Sequence, residues 1–434
     1  ALVQRLAVRA LPEEAQAPTL VQLRAIARAQ KATIVEYTVV YEPALLPDWI
    51  PDRESALLVY VVAPEGTVTA RRVPLEGALA GGRLTLASLV DVSRTVIGVR
   101  GRGGTNSEPA AAATAAPAAS GEPAPRRLHR LLIEPIVDLL PRDPEARVIF
   151  VPHESLFLVP FAALQDAEGR YVVDHHTISL SPSIHTLAFT QRQRVARHSA
   201  APAQGARALI VGNPAMPSYP PAPGLAPQPL EDLPDAEVEA KTIAQLLQSE
   251  PLIGKQATKA AFTARLEQAQ LVHLATHGLL DDVSQSRPKM PFARHAALNT
   301  LFKPGTVQFR SPGSLALAPD AQDSGLLTAD EIAQLRTNAN LVVMSACDTG
   351  RGTIVGDGVI GLTRSWVAAG VPSVVASLWA VPDEPTSTLM LAFHQSLQQR
   401  RDKASALRQA MLQVRARYPI PMAWAAFVLF GEAE

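Results

Sequence analysis

From residue 208 onward the sequence alternates between short apolar runs and longer stretches at helical spacing, and this alternation leaves few possible folds. Runs at 208–212, 252–254, 271–276, 341–345, 373–378 and 424–429 have the length and composition of buried strands. Between them, 235–249, 258–268, a segment from Ala329, 358–369, 384–399 and 403–418 are predicted helices. Thr328-Ala329-Asp330-Glu331 is a capping-box pattern before one of them. Strand–helix–strand crossovers of this kind give an α/β fold, a mostly parallel sheet covered on both faces.

The first half is mixed. Residues 1–33 read as a helical N-terminal segment, with Leu20, Leu23, Ile26 and Ala27 forming a stripe. Runs at 34–41 and 56–62 are β-rich, 67–73 partly alternates, and 84–99 has helical spacing. Residues 101–125 are Gly/Ala/Pro/Ser-rich, lack large apolar side chains and read as a disordered linker. An amphipathic helix at 126–140 and strands at 147–151, 156–164 and 171–180 complete this half. The expected organisation is a helical segment 1–33, one unit at 34–195 and a second at 206–434. The chain opens on Ala1 with no signal peptide, so it is expected to be an excerpt or processed product of something longer.

Composition removes several classes of function. Lys+Arg and Asp+Glu are both 40, so there is no whole-chain attraction to nucleic acid or an anionic membrane. No apolar run reaches the roughly 18–20 residues that span a bilayer. The single cysteine, Cys347, leaves no intramolecular disulfide and no multi-thiolate zinc site, and fits a reducing cytoplasm. Neither metal nor organic cofactor is expected.

Two strand ends carry chemistry. Leu271-Val272-His273-Leu274-Ala275-Thr276-His277-Gly278 ends on a histidine followed by glycine. Leu341-Val342-Val343-Met344-Ser345-Ala346-Cys347-Asp348-Thr349-Gly350 ends on the cysteine. In open α/β sheets, ligands and reacting groups gather beyond the carboxyl ends of strands. If these two strands are neighbours, His277 and Cys347 meet at one sheet edge. An imidazole beside a thiol raises its thiolate fraction and can protonate a leaving amine. Backbone N–H groups of Gly278 and Cys347 can hold an oxyanion. On residue types alone, a small buried cysteine and a satisfied strand-end histidine remain open.

Other patterns compete. Gly356-Asp357-Gly358-Val359-Ile360-Gly361 matches the dinucleotide fingerprint, with Asp383 as the distal acid, and makes a nucleotide-binding module the main rival. Its first glycine stands too far past strand 341–345 to leave the strand directly. His273 and His277 have metal-like spacing, but on a strand they lie about 13 Å apart; His273 reads as a core residue beneath His277. No G-x-S-x-G occurs, which argues against a nucleophile-elbow serine hydrolase. A non-catalytic scaffold is the third alternative.

The segments 271–278, 325–332, 341–350, 356–370, 372–386 and 424–431 together resemble the ordered signature blocks of CHAT-domain peptidases, caspase-like cysteine peptidases related to separase and often fused behind TPR repeats. Weaker similarity extends through Val148–Ile149–Phe150–Val151–Pro152–His153 and Val159–Pro160–Phe161–Ala162–Ala163–Leu164 to about residue 20. The resemblance implies a caspase-like α/β/α sandwich in two halves, 34–195 inactive and 206–434 active. It implies a catalytic dyad of His277 and Cys347, an oxyanion hole of Gly278 and Cys347, and Asp383 as the acid lining a pocket for a basic residue. Pro382 departs from the commoner polar residue there. Asp348 is a second candidate for shaping that pocket, and a solvated loop residue or helix cap is the alternative for either acid. The resemblance further implies a bacterial cytoplasmic endopeptidase acting in defence or programmed death, controlled by an upstream sensor or TPR region, with a protein substrate such as a pore-forming protein. Segment 281–324, with Arg287, Lys289, Arg294 and Arg310, is expected to be an activation or gating loop open to self-cleavage.

Overall fold

A computed structural model describes residues 18–42, 53–76, 79, 84–99, 122–199, 208–220, 226–279, 313–345, 356–399 and 401–434. Strands β1 (Ala32–Glu42), β2 (Arg53–Val62), β3 (Val68–Pro74), β4 (Arg147–Val151) and β5 (Thr177–Leu180) come from the first half. From the second half come β6 (Ala208–Pro214), β7 (Leu252–Gly254), β8 (Leu271–Ala275), the short β9 (Gly278–Leu279), β10 (Ser314–Ala316), β11 (Leu326–Thr328), then β12 (Leu341–Met344), β13 (Ser373–Ser377) and β14 (Phe427–Gly431). All but β9, β10 and β11 join one sheet of eleven strands in the order β3-β2-β1-β4-β5-β14-β13-β12-β8-β6-β7. The β2 edge pairs and the β13–β14 pair are antiparallel; every other neighbour is parallel. The α/β reading with a mostly parallel sheet therefore describes the molecule. The halves meet where β5 pairs with β14 through Leu180 and Phe430.

Alternation along β1 shows how the sheet is covered on both sides. Val35, Tyr37 and Val39 enter a large core that continues through both halves, while Ile34 joins a separate cluster with Ile149, Ile184 and Leu187. Among the described residues the α-helices of eight residues or more are α1 (Leu20–Gln30), α2 (Leu86–Val96), α3 (Ala124–Leu132), α4 (Ile184–Ser199), α5 (Pro234–Leu246), α6 (Lys259–Leu266), α7 (Gly356–Ala368), α8 (Asp383–Gln398) and α9 (Lys403–Arg417). The capping box at Thr328 forms as expected, with Glu331 returning to the Thr328 N–H at 2.7 Å. Among the described residues no helix is long and apolar enough to cross a membrane.

Several local expectations need correction. The run 156–164 is not a strand but two 3-10 turns, Glu154–Leu158 and Phe161–Ala163. Pro160 between them cannot donate to a ladder, and the run is apolar because it is buried. The helix expected at 126–140 stops at Leu132 and continues as a 3-10 turn, Glu134–Leu139, because Pro135 removes a helical donor. Segment 171–180 opens with the helical turn Val172–His175 before β5, and the last strand runs Phe427–Gly431, later than 424–429. The N-terminal helix ends at Gln30, where Lys31 takes a left-handed conformation that feeds β1. Most of the 281–324 loop and of the 101–125 linker lies outside the described residues, but Ser314–Ala316 is strand.

The docking of α5 on β6 sets up the site. A Cβ on Gly212 would lie 2.3 Å from the Ala240 Cβ and 2.6 Å from the Ala236 carbonyl oxygen, so only glycine permits this approach. Asn213, at φ +41°, accepts the Leu233 N–H on its Oδ1 at 2.8 Å and fixes where α5 begins. Gly212→Ala is expected to destabilise the fold by about 1–3 kcal/mol through overpacking. Thermal unfolding should show a lowered Tm; an unchanged Tm would mean that α5 shifts freely on β6.

Candidate active site

Strands β8 and β12 are neighbours and run parallel. Leu271 pairs with Leu341, Val272 with Val342, His273 with Val343 and Leu274 with Met344. His277 lies just beyond the carboxyl end of β8, nearly buried at 5% exposure. Its backbone is held from both sides: the Thr276 hydroxyl donates to Ala316 O at 2.7 Å, and Ala316 N–H donates to His277 O at 2.9 Å.

The imidazole is fixed as well. His277 Nε2 lies 2.8 Å from the carbonyl oxygen of Glu231, in the segment that leads into α5. A carbonyl only accepts, so Nε2 carries the proton of this hydrogen bond. In the neutral ring, Nδ1 is then the free base. Sequence reasoning missed Glu231, because a backbone carbonyl leaves no residue-type signature.

Gly278 opens β9, which pairs antiparallel with β10 in a small sheet with β11. The bond from Ala316 to His277 marks their pair as the hydrogen-bonded one. Alternation makes Gly278–Leu315 a non-hydrogen-bonded pair and turns the Gly278 N–H away from β10. Cys347 and Asp348 lie outside the described residues.

A small cleft opens beside the ends of β12 and β13. Leu233, Asp235, Ala236 and Glu239 from the α5 region line it, together with Ser345, Val381, Asp383 and Thr386. Asp383 is thus in a cleft with two further carboxylates that the sequence alone did not single out. Burial first, then the hydrogen-bonded Asp235 carboxyl and Glu239, raise its pKa above the ordinary aspartate value. Asp383 is also the first residue of α8, so the helix-end alternative and the cleft position coincide. The Ser345 Oγ is buried and has no hydrogen-bond partner among the described residues.

Beneath this cleft, His273 is fully buried and its Nε2 lies 2.8 Å from Glu239 Oε1. Its Nδ1 lies 3.2 Å from His394 Nε2. Burial, then His273, push the His394 pKa well below the usual histidine value. His273 is therefore a core residue that orients Glu239, and the metal-like spacing with His277 has no role here. Among the described residues no cluster of three or more potential ligands is built for a metal.

The glycine fingerprint fails as a phosphate loop. Helix α7 already begins at Gly356, so the first two glycines sit inside its first turn instead of in a turn between strand and helix. That removes the close backbone approach on which the nucleotide-binding alternative depends.

Residues 122–432 match the family described as the CHAT domain. Tetratricopeptide repeat protein 28 of Homo sapiens is 30% identical over 331 residues, 71% of this chain and 13% of that protein. Its Mus musculus counterpart is 29% identical over 332 residues, with the same coverage. The chain therefore spans only a small part of these relatives. Among solved structures, a Saccharomyces cerevisiae separase–securin complex aligns with a TM-score of 0.48 and 11% identity, covering 94% of this chain and 31% of that one. The Arg specific cysteine proteinase gingipain R aligns with a TM-score of 0.40 and 11% identity, covering 73% and 68%.

Proposed function

Because the chain belongs to the CHAT domain family, we propose that its second half is a cysteine endopeptidase with Cys347 as nucleophile and His277 as acid/base. The observation that carries this reading is the β8–β12 register, in which every pair differs by 70 positions. In the sequence, His277 and Cys347 follow the last paired residues, Leu274 and Met344, by the same three positions, which supports the reading. The fixed His277 ring supports it further, since Glu231 O occupies Nε2 and leaves Nδ1 for the thiol proton.

In this mechanism the Cys347 thiol gives its proton to His277, and the thiolate attacks the scissile carbonyl. The Gly278 and Cys347 N–H groups bind the oxyanion. Collapse breaks the C–N bond, the imidazolium returns the proton to the leaving amine, and a thioester remains. Water activated by His277 hydrolyses it, releasing the acid and restoring the thiol. Asp383, with Asp348 as the second pocket acid, selects a basic residue before the cut; the cleft's other carboxylates favour the same charge.

The wider proposal is a regulated effector of the bacterial cytoplasm, in defence or programmed death, cutting a protein substrate such as a pore-forming protein. Regulation by an upstream TPR region is part of it, since the curated relatives carry that repeat in their name.

Cleavage of a proteome-derived peptide library, read by mass spectrometry beside Cys347→Ala, tests the reading. Cuts made only by the wild type, clustered after Arg or Lys, are expected. The rival scaffold reading gains if neither protein cuts and if iodoacetamide labels Cys347 no faster than it labels the His277→Ala variant.

A further inference from the structure

Arg94 of the first half contacts the segment of the second that runs on to the cleft. Arg94, on α2, is 6% exposed. Its Nη1 donates to Leu158 O at 3.3 Å in the first half, and its Nη2 donates to Leu378 O at 2.9 Å in the second. The guanidinium also lies over the Trp379 ring, 5.6 Å from its centroid. Burial lowers its pKa to about 10, so it stays cationic at neutral pH.

The surrounding contacts close a ring. Trp379 Nε1 donates to Met422 O at 3.0 Å, and Met422 N donates to Ile97 O at 3.2 Å, which returns the path to the end of α2. Gly98 follows at φ +101°, where an added Cβ would lie 3.3 Å from the Met422 Cβ. Leu378 is pinned on its other side by its N–H to Ala426 O at 2.8 Å. Leu378 and Trp379 continue directly into Val381 and Asp383, both of which line the acidic cleft.

A buried guanidinium costs much solvation, and here it is spent on two backbone carbonyls and a ring face. These contacts fix the conformation of one short segment. We infer that Arg94 is a positioning residue for the specificity cleft, through which the otherwise non-catalytic half holds the 378–383 wall and sets where the Asp383 carboxylate stands. This assignment rests on the reading of that cleft as the pocket for the residue before the cut.

Arg94→Met removes both donors and keeps an apolar stem in place. Two measurements on the full chain test the assignment. The first is the ratio of kcat/KM for matched peptides with Arg and with norleucine before the cut. It is expected to fall about 10-fold, with kcat on the norleucine peptide held within about 2-fold; Arg94→Lys, which keeps the charge, should lie between. Equal losses on both peptides would reduce Arg94 to a structural role and overturn the inference.

The second measurement is hydrogen–deuterium exchange, which needs no activity. Faster exchange in peptides covering 378–383, with β4 and β8 unchanged, is expected. A uniform rise, or no rise, overturns the inference. If Arg94→Met folds poorly, Trp379→Phe, which keeps an aromatic face for the guanidinium but loses the donor to Met422 O, serves in its place and should give a smaller effect in the same direction. If the wild type cuts nothing, the alkylation comparison decides the peptidase reading, and exchange at 378–383 decides separately whether Arg94 holds that wall.

Discussion

Cys347→Ala is expected to lower kcat/KM on any peptide the wild type cuts by about 10⁴-fold or more, and His277→Ala by a similar factor. The two groups act on one proton and one electron pair, so their losses should not add. Without the thiolate there is no nucleophile for the imidazole to serve; without the imidazole the thiol stays largely protonated and the amine leaves without a proton. The Cys347→Ala/His277→Ala double variant should therefore be no slower than either single one. Stopped assays on all four proteins give the cycle. Losses that multiply would mean that the two residues serve separate steps and that the register argument pairs the wrong groups. Folding is a small concern for the cysteine, because the substitution removes one sulfur atom. It is larger for His277, whose Nε2 proton satisfies the Glu231 carbonyl. Asn at 277 can keep a donor toward that carbonyl while offering no base, and should be as inactive as Ala.

Much of this site was legible because its two supporting strands are short, apolar apart from His273, and run directly into polar residues. Leu271–Ala275 and Leu341–Met344 have no other reading once their flanking helices are recognised. His277 and Gly278 then fall at a strand end by counting alone. The sequence could not show the groups that act on them from elsewhere. Glu231 contributes a carbonyl, which any residue would supply. Asp235 reads as an ordinary acid in the first turn of a helix, stabilised by its dipole. Glu239 reads as a solvent-facing helix residue until the fold brings it against His273, at 2.8 Å. The strand expected at 156–164 fails for a physical reason. Burial without periodicity, as around Pro160, looks the same in a strand and in packed 3-10 turns, and only the sheet's own geometry separates them.

Asp383→Asn is expected to cost about 10²–10³-fold in kcat/KM for peptides with Arg or Lys before the cut, and little for apolar ones. The charged groups that act on Asp383 among the described residues are Asp235 and Glu239, and both push its pKa upward together with burial. A guanidinium entering the cleft would reverse that situation: it favours the ionised carboxylates and is favoured by them. At a pH low enough for Asp383 to hold its proton, binding a basic peptide should therefore release it, measurable as a calorimetric heat that depends on the buffer's ionisation enthalpy; a norleucine peptide should release fewer protons. The pH dependence follows with a definite sign. Protonation removes the charge that pairs with the substrate, and a raised pKa means that this loss begins at higher pH than an ordinary aspartate, near 4, would allow. The ratio of kcat/KM for basic over apolar peptides cancels the titration of Cys347 and His277, which both substrates share. That ratio should fall as pH drops in the wild type and be flatter in Asp383→Asn. A ratio that ignores pH in the wild type, or a preference that survives the substitution intact, would move the specificity acid away from Asp383 to the other carboxylates of the cleft or to Asp348. The same two peptides measured on Asp235→Asn would then show whether the α5 wall carries the charge instead.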